Sequence, residues 1–218
     1  DQILFMLGYA CLVDGVIATF FGMNNIAYIS RPIGRGQLDH KLIQPVPLWM
    51  QFLTEGFIPF SGSSMLFCGT GITVLALDRL AVPLGARGEL LLVVSVLGSV
   101  AVTLGFSYLT GSLAFWAPVA GEEISTTSIG LFSALKTFPI GGLTVQAKIA
   151  LCTIIPVGLT AWLPANLVLG QPPQDLPSYL MLVVTLLLAL AATTVFRKGL
   201  KHYAKYGSTR YHDRGHRR

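Results

Sequence analysis

Five apolar stretches, about 3–24, 52–77, 89–116, 148–169 and 178–196, limit what this chain can fold into. Each approaches the roughly 20 residues a helix needs to cross a hydrocarbon core about 30 Å thick. Backbone groups in lipid have no water to bond, so spanning segments of this length and apolarity must be helical. The expected fold is an all-α integral membrane protein, one helical bundle over residues 1–218 with five spans. Composition agrees, with 53% hydrophobic and only 11% charged residues, where a soluble domain carries about 25% charged residues.

Three features lie inside these stretches. Pro59 in the second, and Pro156 and Pro164 in the fourth, remove backbone donors and predict bends. The fourth stretch ends at Asn166 and Gly170, so its outer end is expected to break, dip back and narrow the external mouth of a path. Ser95, Ser99 and Thr103 recur every four residues in the third, a small-residue stripe suited to helix packing. Cys11, Cys68 and Cys152 all fall within apolar runs, so buried free thiols are expected rather than disulfides.

Charge sets the expected orientation. Arg31, Arg35 and Lys41 lie in loop 25–51, Lys136 and Lys148 in or beside loop 117–147, and eight basic residues in the tail 197–218. Alternating five spans puts these three regions on one side, the cytoplasm, and leaves only Arg79 and Arg87 opposite. The chain starts with Asp1 directly before an apolar run, with no basic head or cleavage site, so a sixth span is expected upstream in the native protein. The net charge of +5 is thus a topology signal and not a mark of nucleic acid. The basic tail, with Tyr203, Tyr206 and Tyr211, suits anionic lipid headgroups, and its His212 and His216 are read as solvated rather than metal ligands.

The longest polar interruption, Ile29 to Pro47, contains a segment from Gln37 to Gln44 with the length of about two helical turns. Leu38 and Leu42 share a face there, and Asp39 sits near the helix start, where a carboxylate favours the dipole. Gly36 is expected to permit a tight entry into the segment. A short amphipathic helix on a basic loop between two spans is expected to touch a partner in the cytoplasm.

Enzyme signatures are missing: the chain has no GxxxxGK[ST] loop, HExxH, GxSxG or CxxC. Glu122 and Glu123 are adjacent, so they diverge on a helix and are expected to cap a helix starting near Ser125. Asp14 is the one carboxylate at mid-span, and the spans offer it no His, Lys or Arg, so it is read as a hydrogen-bonding brace. Glu55, near a span end, is expected to reach water or a loop cation.

An ordered set of short motifs resembles a known family. It runs from Ala10 to Gly15, through Gly36-Gln37-Leu38-Asp39, Leu42 and Gln44-Pro45, to Phe138-Pro139 and Ile155-Pro156. It continues with Leu163-Pro164-Ala165-Asn166-Leu167-Val168-Leu169-Gly170, Phe196-Arg197-Lys198-Gly199-Leu200, Tyr203 and Tyr206-Gly207-Ser208. Together these resemble the permease subunits of bacterial type-two ATP-binding-cassette (ABC) exporters. Gln44 stands where that family favours Arg, and Leu163 separates Trp162 from the Pro-Ala pair that an aromatic commonly precedes.

The resemblance implies six helices, both ends in the cytoplasm of a bacterial inner membrane, and a coupling helix at residues 34–45 seated in a separate ATPase. Gly36, Gln37, Leu38, Asp39, Lys41 and Leu42 would make that coupling, and Asp14, Pro156, Pro164 and Asn166 would be the membrane-embedded polar or gating positions. Two permeases, often different, work with two ATPases that bind ATP and magnesium, so this chain is expected to hold no cofactor and no catalytic site. Family substrates range over drugs, peptides and lipid-linked sugars. The rival readings are an ion-gradient-driven secondary transporter and a non-transport scaffold subunit.

Overall fold

The computed structural model describes residues 1–82 and 85–207. In chain order its helices are α1 Gln2–Phe20, α2 Ser30–Gly34, α3 Leu38–Leu42, α4 Leu48–Leu53 and α5 Ser63–Arg79. They continue as α6 Ala86–Gly111, α7 Pro118–Leu135, α8 Val145–Thr153, α9 Trp162–Val168 and α10 Leu180–Tyr206. Among the described residues no strand occurs. Three helices are long and apolar enough to cross a membrane: α1, α6 with its 3₁₀ extension to Phe115, and α10. Val145–Thr153 and Pro156–Val168 form a fourth candidate only as a pair bent by 77°.

The bend falls where the sequence puts Pro156. A 3₁₀ turn over Pro156–Leu159 follows α8, and the chain then re-enters a helix at Trp162. Stretch 148–169 is therefore two short arms bent by 77° and not one straight helix. The stretch 52–77 also divides. Turns fill residues 54–62 between α4 and α5. Pro59 lacks a donor, and Gly56 and Phe60 take positive φ of 73° and 65°, positions a right-handed helix cannot include.

Region 117–147, expected as a loop, contains the 18-residue helix α7. Pro118 opens it, where a missing N–H costs nothing. Glu122 and Glu123 consequently lie inside the helix and do not cap one at Ser125. Its inner face is Gly121, Ser125 and Phe132, at helical spacing. The face meets α6 in antiparallel order: a Cβ on Gly121 would stand 2.6 Å from the Ala114 nitrogen, Ser125 faces Thr110 at 3.4 Å, and Phe132 stacks on Phe106 at 5.3 Å.

α1 and α5 form the tightest pair, also antiparallel. A Cβ on Gly69 would lie 2.4 Å from the Leu12 nitrogen, and one on Gly15 would lie 2.5 Å from the Leu66 nitrogen. Small residues permit that approach, which in lipid supplies dispersion contact where no hydrophobic drive exists. Ser95 and Ser99 of the predicted stripe are buried, and Ser99 joins the Tyr9 hydroxyl at 2.9 Å and donates to the Leu159 carbonyl at 3.1 Å. That serine holds α1, α6 and the bent pair together. Cys152 is buried as expected, Cys11 is half-buried, and Cys68 of α5 is exposed, against the expectation of a buried thiol.

Contacts sort the loops between the two ends of the bundle. At one end, Tyr203 of α10 donates to Asp39 of α3 at 3.2 Å. At the other, Gln2 donates to Gln171 at 2.8 Å and Lys148 pairs with Asp175 at 2.9 Å. Lys148 therefore lies at the opposite end from α3, against the expectation that it shares a side with loop 25–51.

Candidate functional site

Two constellations carry the residues singled out in the sequence. The first is the loop from α2 to α4. Gly36 adopts φ of 67°, the left-handed conformation that glycine takes without strain, and turns the chain from α2 into α3. Helix α3 is five residues long, shorter than the expected two turns, with Gln37 at its N-cap.

Leu38 and Leu42 part company. Leu38 is fully buried with Ile33, Phe52, Phe115, Phe196 and Tyr203, and so packs into its own chain instead of offering a face to a partner. Leu42 is 41% exposed, and Ile43 beside it is 81% exposed. Val46, Trp49 and Met50 extend this outward apolar surface. Burial of a leucine is worth roughly 1.5–3 kcal/mol, so Leu38 anchors the loop to α10 while Leu42 and Ile43 remain available.

Polar ties reinforce the anchor. Asp39 accepts from Tyr203, and its carboxylate does not cap the helix. Lys41 pairs with Glu55 at 3.2 Å, giving Glu55 the loop cation expected of it. Gln51 donates to the carbonyls of Lys41 at 2.8 Å and Val46 at 2.7 Å, closing the turn between α3 and α4. Tyr108 of α6 donates to the Trp49 carbonyl. The loop is thus fixed to α6 and α10 at once.

The second constellation surrounds Asp14. Lys136, one residue beyond α7, donates to its carboxylate. Asp14 therefore has a basic partner, contrary to expectation, because α7 brings Lys136 from region 117–147 to the middle of the bundle. The charges border a cavity of about 260 Å³ among α1, α6 and α7. Thr103, Ser107, Ser133, Thr160, Phe106 and Phe132 are among the residues that line it. An intramembrane charge is costly unless paired, and Lys136 supplies that pairing for Asp14.

Pro156 and Pro164 are buried in the bent pair, and Asn166 donates to the Trp162 carbonyl at 2.8 Å inside α9. These three do not meet Asp14 directly. They shape the arm that carries Thr160 into the Asp14 cavity. Among the described residues no group of three His, Cys, Asp or Glu could hold a metal ion. His212, His216, Tyr211 and the last basic residues of the tail lie outside the described residues.

Long apolar helices, a bent pair at one end and a clamped short helix at the other define a multi-pass membrane protein. Residues 1–207 match the family described as ABC-2 family transporter protein, and the chain belongs to that family. Membership makes it a membrane permease of an ABC transporter, a subunit that associates with ABC ATPases. No curated protein and no solved structure matches the chain.

Proposed function

We propose that this chain is the permease subunit of an ATP-driven exporter, coupled through α3 and its flanks to a separate ATPase. The observation that carries the reading is the double attachment of that loop. Asp39 and Leu38 fasten it to α10, and Trp49 fastens it to α6. A push delivered to Leu42, Ile43 and Val46 from outside would therefore reach two long helices through rigid contacts. Differential grip in two states is what turns such a push into alternating access.

On this reading α3 and the end of α10 face the cytoplasm of an inner membrane, with Arg31, Arg35, Lys41, Arg197, Lys198, Lys201 and Lys205 at that level. The bent pair caps the outer end. A second permease, of the same or another sequence, would complete the substrate path, and ATP with magnesium would bind on the two ATPases.

Affinity purification of the full chain from native membranes, with identification of co-purifying subunits, tests this directly. An ATPase that co-purifies and loses the chain on Leu42→Asp or Ile43→Asp supports the coupling role. Full assembly and transport with both substitutions would leave only family membership.

A further inference from the structure

Between α6 and α10, at the end of the bundle that carries α3, runs a groove of about 580 Å³. Small side chains make its floor: Ala101 and Gly105 from α6, Ala189 and Ala192 from α10. Its α3 end is closed by an aromatic wall. Tyr108 donates to the Trp49 carbonyl and meets the Phe196 ring edge-on at 5.8 Å. Arg197 lines the same end.

We propose that this groove binds an anionic phospholipid, with an acyl chain along the floor and the phosphate on Arg197. Depth supports it. Arg197 stands roughly 25 Å along α10 from Leu180 at 1.5 Å per residue, close to the ~30 Å hydrocarbon thickness, so its guanidinium reaches headgroup level. Trp49 lies where interfacial aromatics collect.

Charge supports it as well. No Asp or Glu lines the groove. The ion pairs among the described residues engage Lys41, Lys136 and Lys148, and Arg197 takes part in none of them. Lys198 and Lys201 are exposed nearby and raise the local positive potential. A guanidinium offers a planar fork matched to phosphate oxygens. An apolar channel that ends in that fork suits a phospholipid that lays one of its acyl chains in the groove and its phosphate on the fork. The volume lies within the roughly 300–1,000 Å³ of small-molecule sites.

The test is native mass spectrometry of the full chain, with any co-purifying subunits, in mild detergent. Phosphatidylglycerol or phosphatidylcholine is added in parallel. The first phosphatidylglycerol is expected to bind roughly tenfold more tightly than phosphatidylcholine, whose choline cation is repelled by Arg197, Lys198 and Lys201. Arg197→Gln should remove most of that preference and weaken phosphatidylcholine as well, because the same fork would hold the phosphate of either headgroup. Ala101→Phe on α6 and Ala189→Phe on α10 fill the groove floor from exposed positions, and each should weaken both lipids. Glycerol phosphate, a headgroup without a tail, should not compete. Equal binding of the two lipids, preserved preference in Arg197→Gln, or unchanged binding in both Phe variants overturns the proposal. So does a disulfide between copies through Ala189→Cys, which would make the groove a protein seam.

Discussion

Lys136, just past the end of α7, donates to Asp14 in the second half of α1. The two residues are 122 positions apart in sequence. Their ion pair closes the seam between two helices at the edge of a cavity.

Removing either partner alone strands a charge. The side chains are 30% and 19% exposed, so the cost lies below the roughly 3–5 kcal/mol of breaking a fully buried pair. Asp14→Asn and Lys136→Met should each lower the thermal midpoint of the purified protein and reduce transport. The exchanged pair Asp14→Lys with Lys136→Asp should recover a measurable part of the midpoint. An exchange no more stable than the worse single variant would show that the charges do not act as a pair.

The partner of Asp14 is set by tertiary packing that no local stretch of sequence encodes. Long apolar runs disclosed α1, α6 and α10 because their hydropathy alone carries the signal. Helix α7 escaped because Glu122, Glu123, Ser125, Thr126, Thr127 and Ser128 dilute its hydropathy, while its packing face needs only Gly121, Ser125 and Phe132. The 118–135 segment, opened by Pro118, carried a usable clue in that four-and-seven spacing. Without α7, Lys136 reads as a loop residue and Asp14 as unpaired. Gly36 and the Pro156 break were legible, since each depends on local backbone chemistry. The separate fates of Leu38 and Leu42 were not, because only the position of α10 decides which leucine is covered.

That difference makes a discriminating pair. Leu38→Asp should detach the α3 loop from the chain's own core, lowering stability by more than the roughly 1.5–3 kcal/mol of the lost burial because a charge is desolvated too. Leu42→Asp should leave the thermal midpoint nearly unchanged. On the exporter reading it should still reduce ATPase recovery in a pull-down. Equal midpoints for the two variants would contradict the assigned burial.

The Tyr203 hydroxyl is the tie between α3 and α10 that can be removed most gently. Tyr203→Phe keeps the ring, which packs near Phe115 at 6.4 Å, and deletes the donor to Asp39. A loss of about 0.5–1.5 kcal/mol in stability is expected for that bond. Where the loop transmits motion, transport per ATP hydrolysed should fall while assembly stays normal. Unchanged coupling in a well-assembled complex would assign Tyr203 to packing alone.

Helix α7 also alters the expected topology, which can be read with single cysteines. If α7 crosses toward the outer end, Gly142 lies outside with Gln174, and Gln37 lies in the cytoplasm. Gly142 is exposed, and a Cβ there meets nothing within 4 Å, so Gly142→Cys should be tolerated. In a background lacking Cys11, Cys68 and Cys152, Gly142→Cys and Gln174→Cys should react with an impermeant reagent on intact cells, and Gln37→Cys should not. Protection of Gly142→Cys with labelling of Gln174→Cys would return residues 117–147 to the cytoplasm.

The bent pair gives the last expectation. Ser99 fixes its turn to the bundle by donating to the Leu159 carbonyl while meeting the Tyr9 hydroxyl. Pro164 sits buried a few residues on, in the first turn of α9, where it has no donor to lose. Ser99→Ala should therefore cost more than Pro164→Ala, since it leaves a fully buried carbonyl without that donor at about 1–3 kcal/mol. On the exporter reading Pro164→Ala should alter transport and leave ATPase assembly intact, because the arm it shapes lies at the opposite end from α3. Thermal midpoints of the two variants, with transport measured on the same preparations, separate the effects. A Pro164→Ala protein that transports normally would reduce that proline to a plain bend.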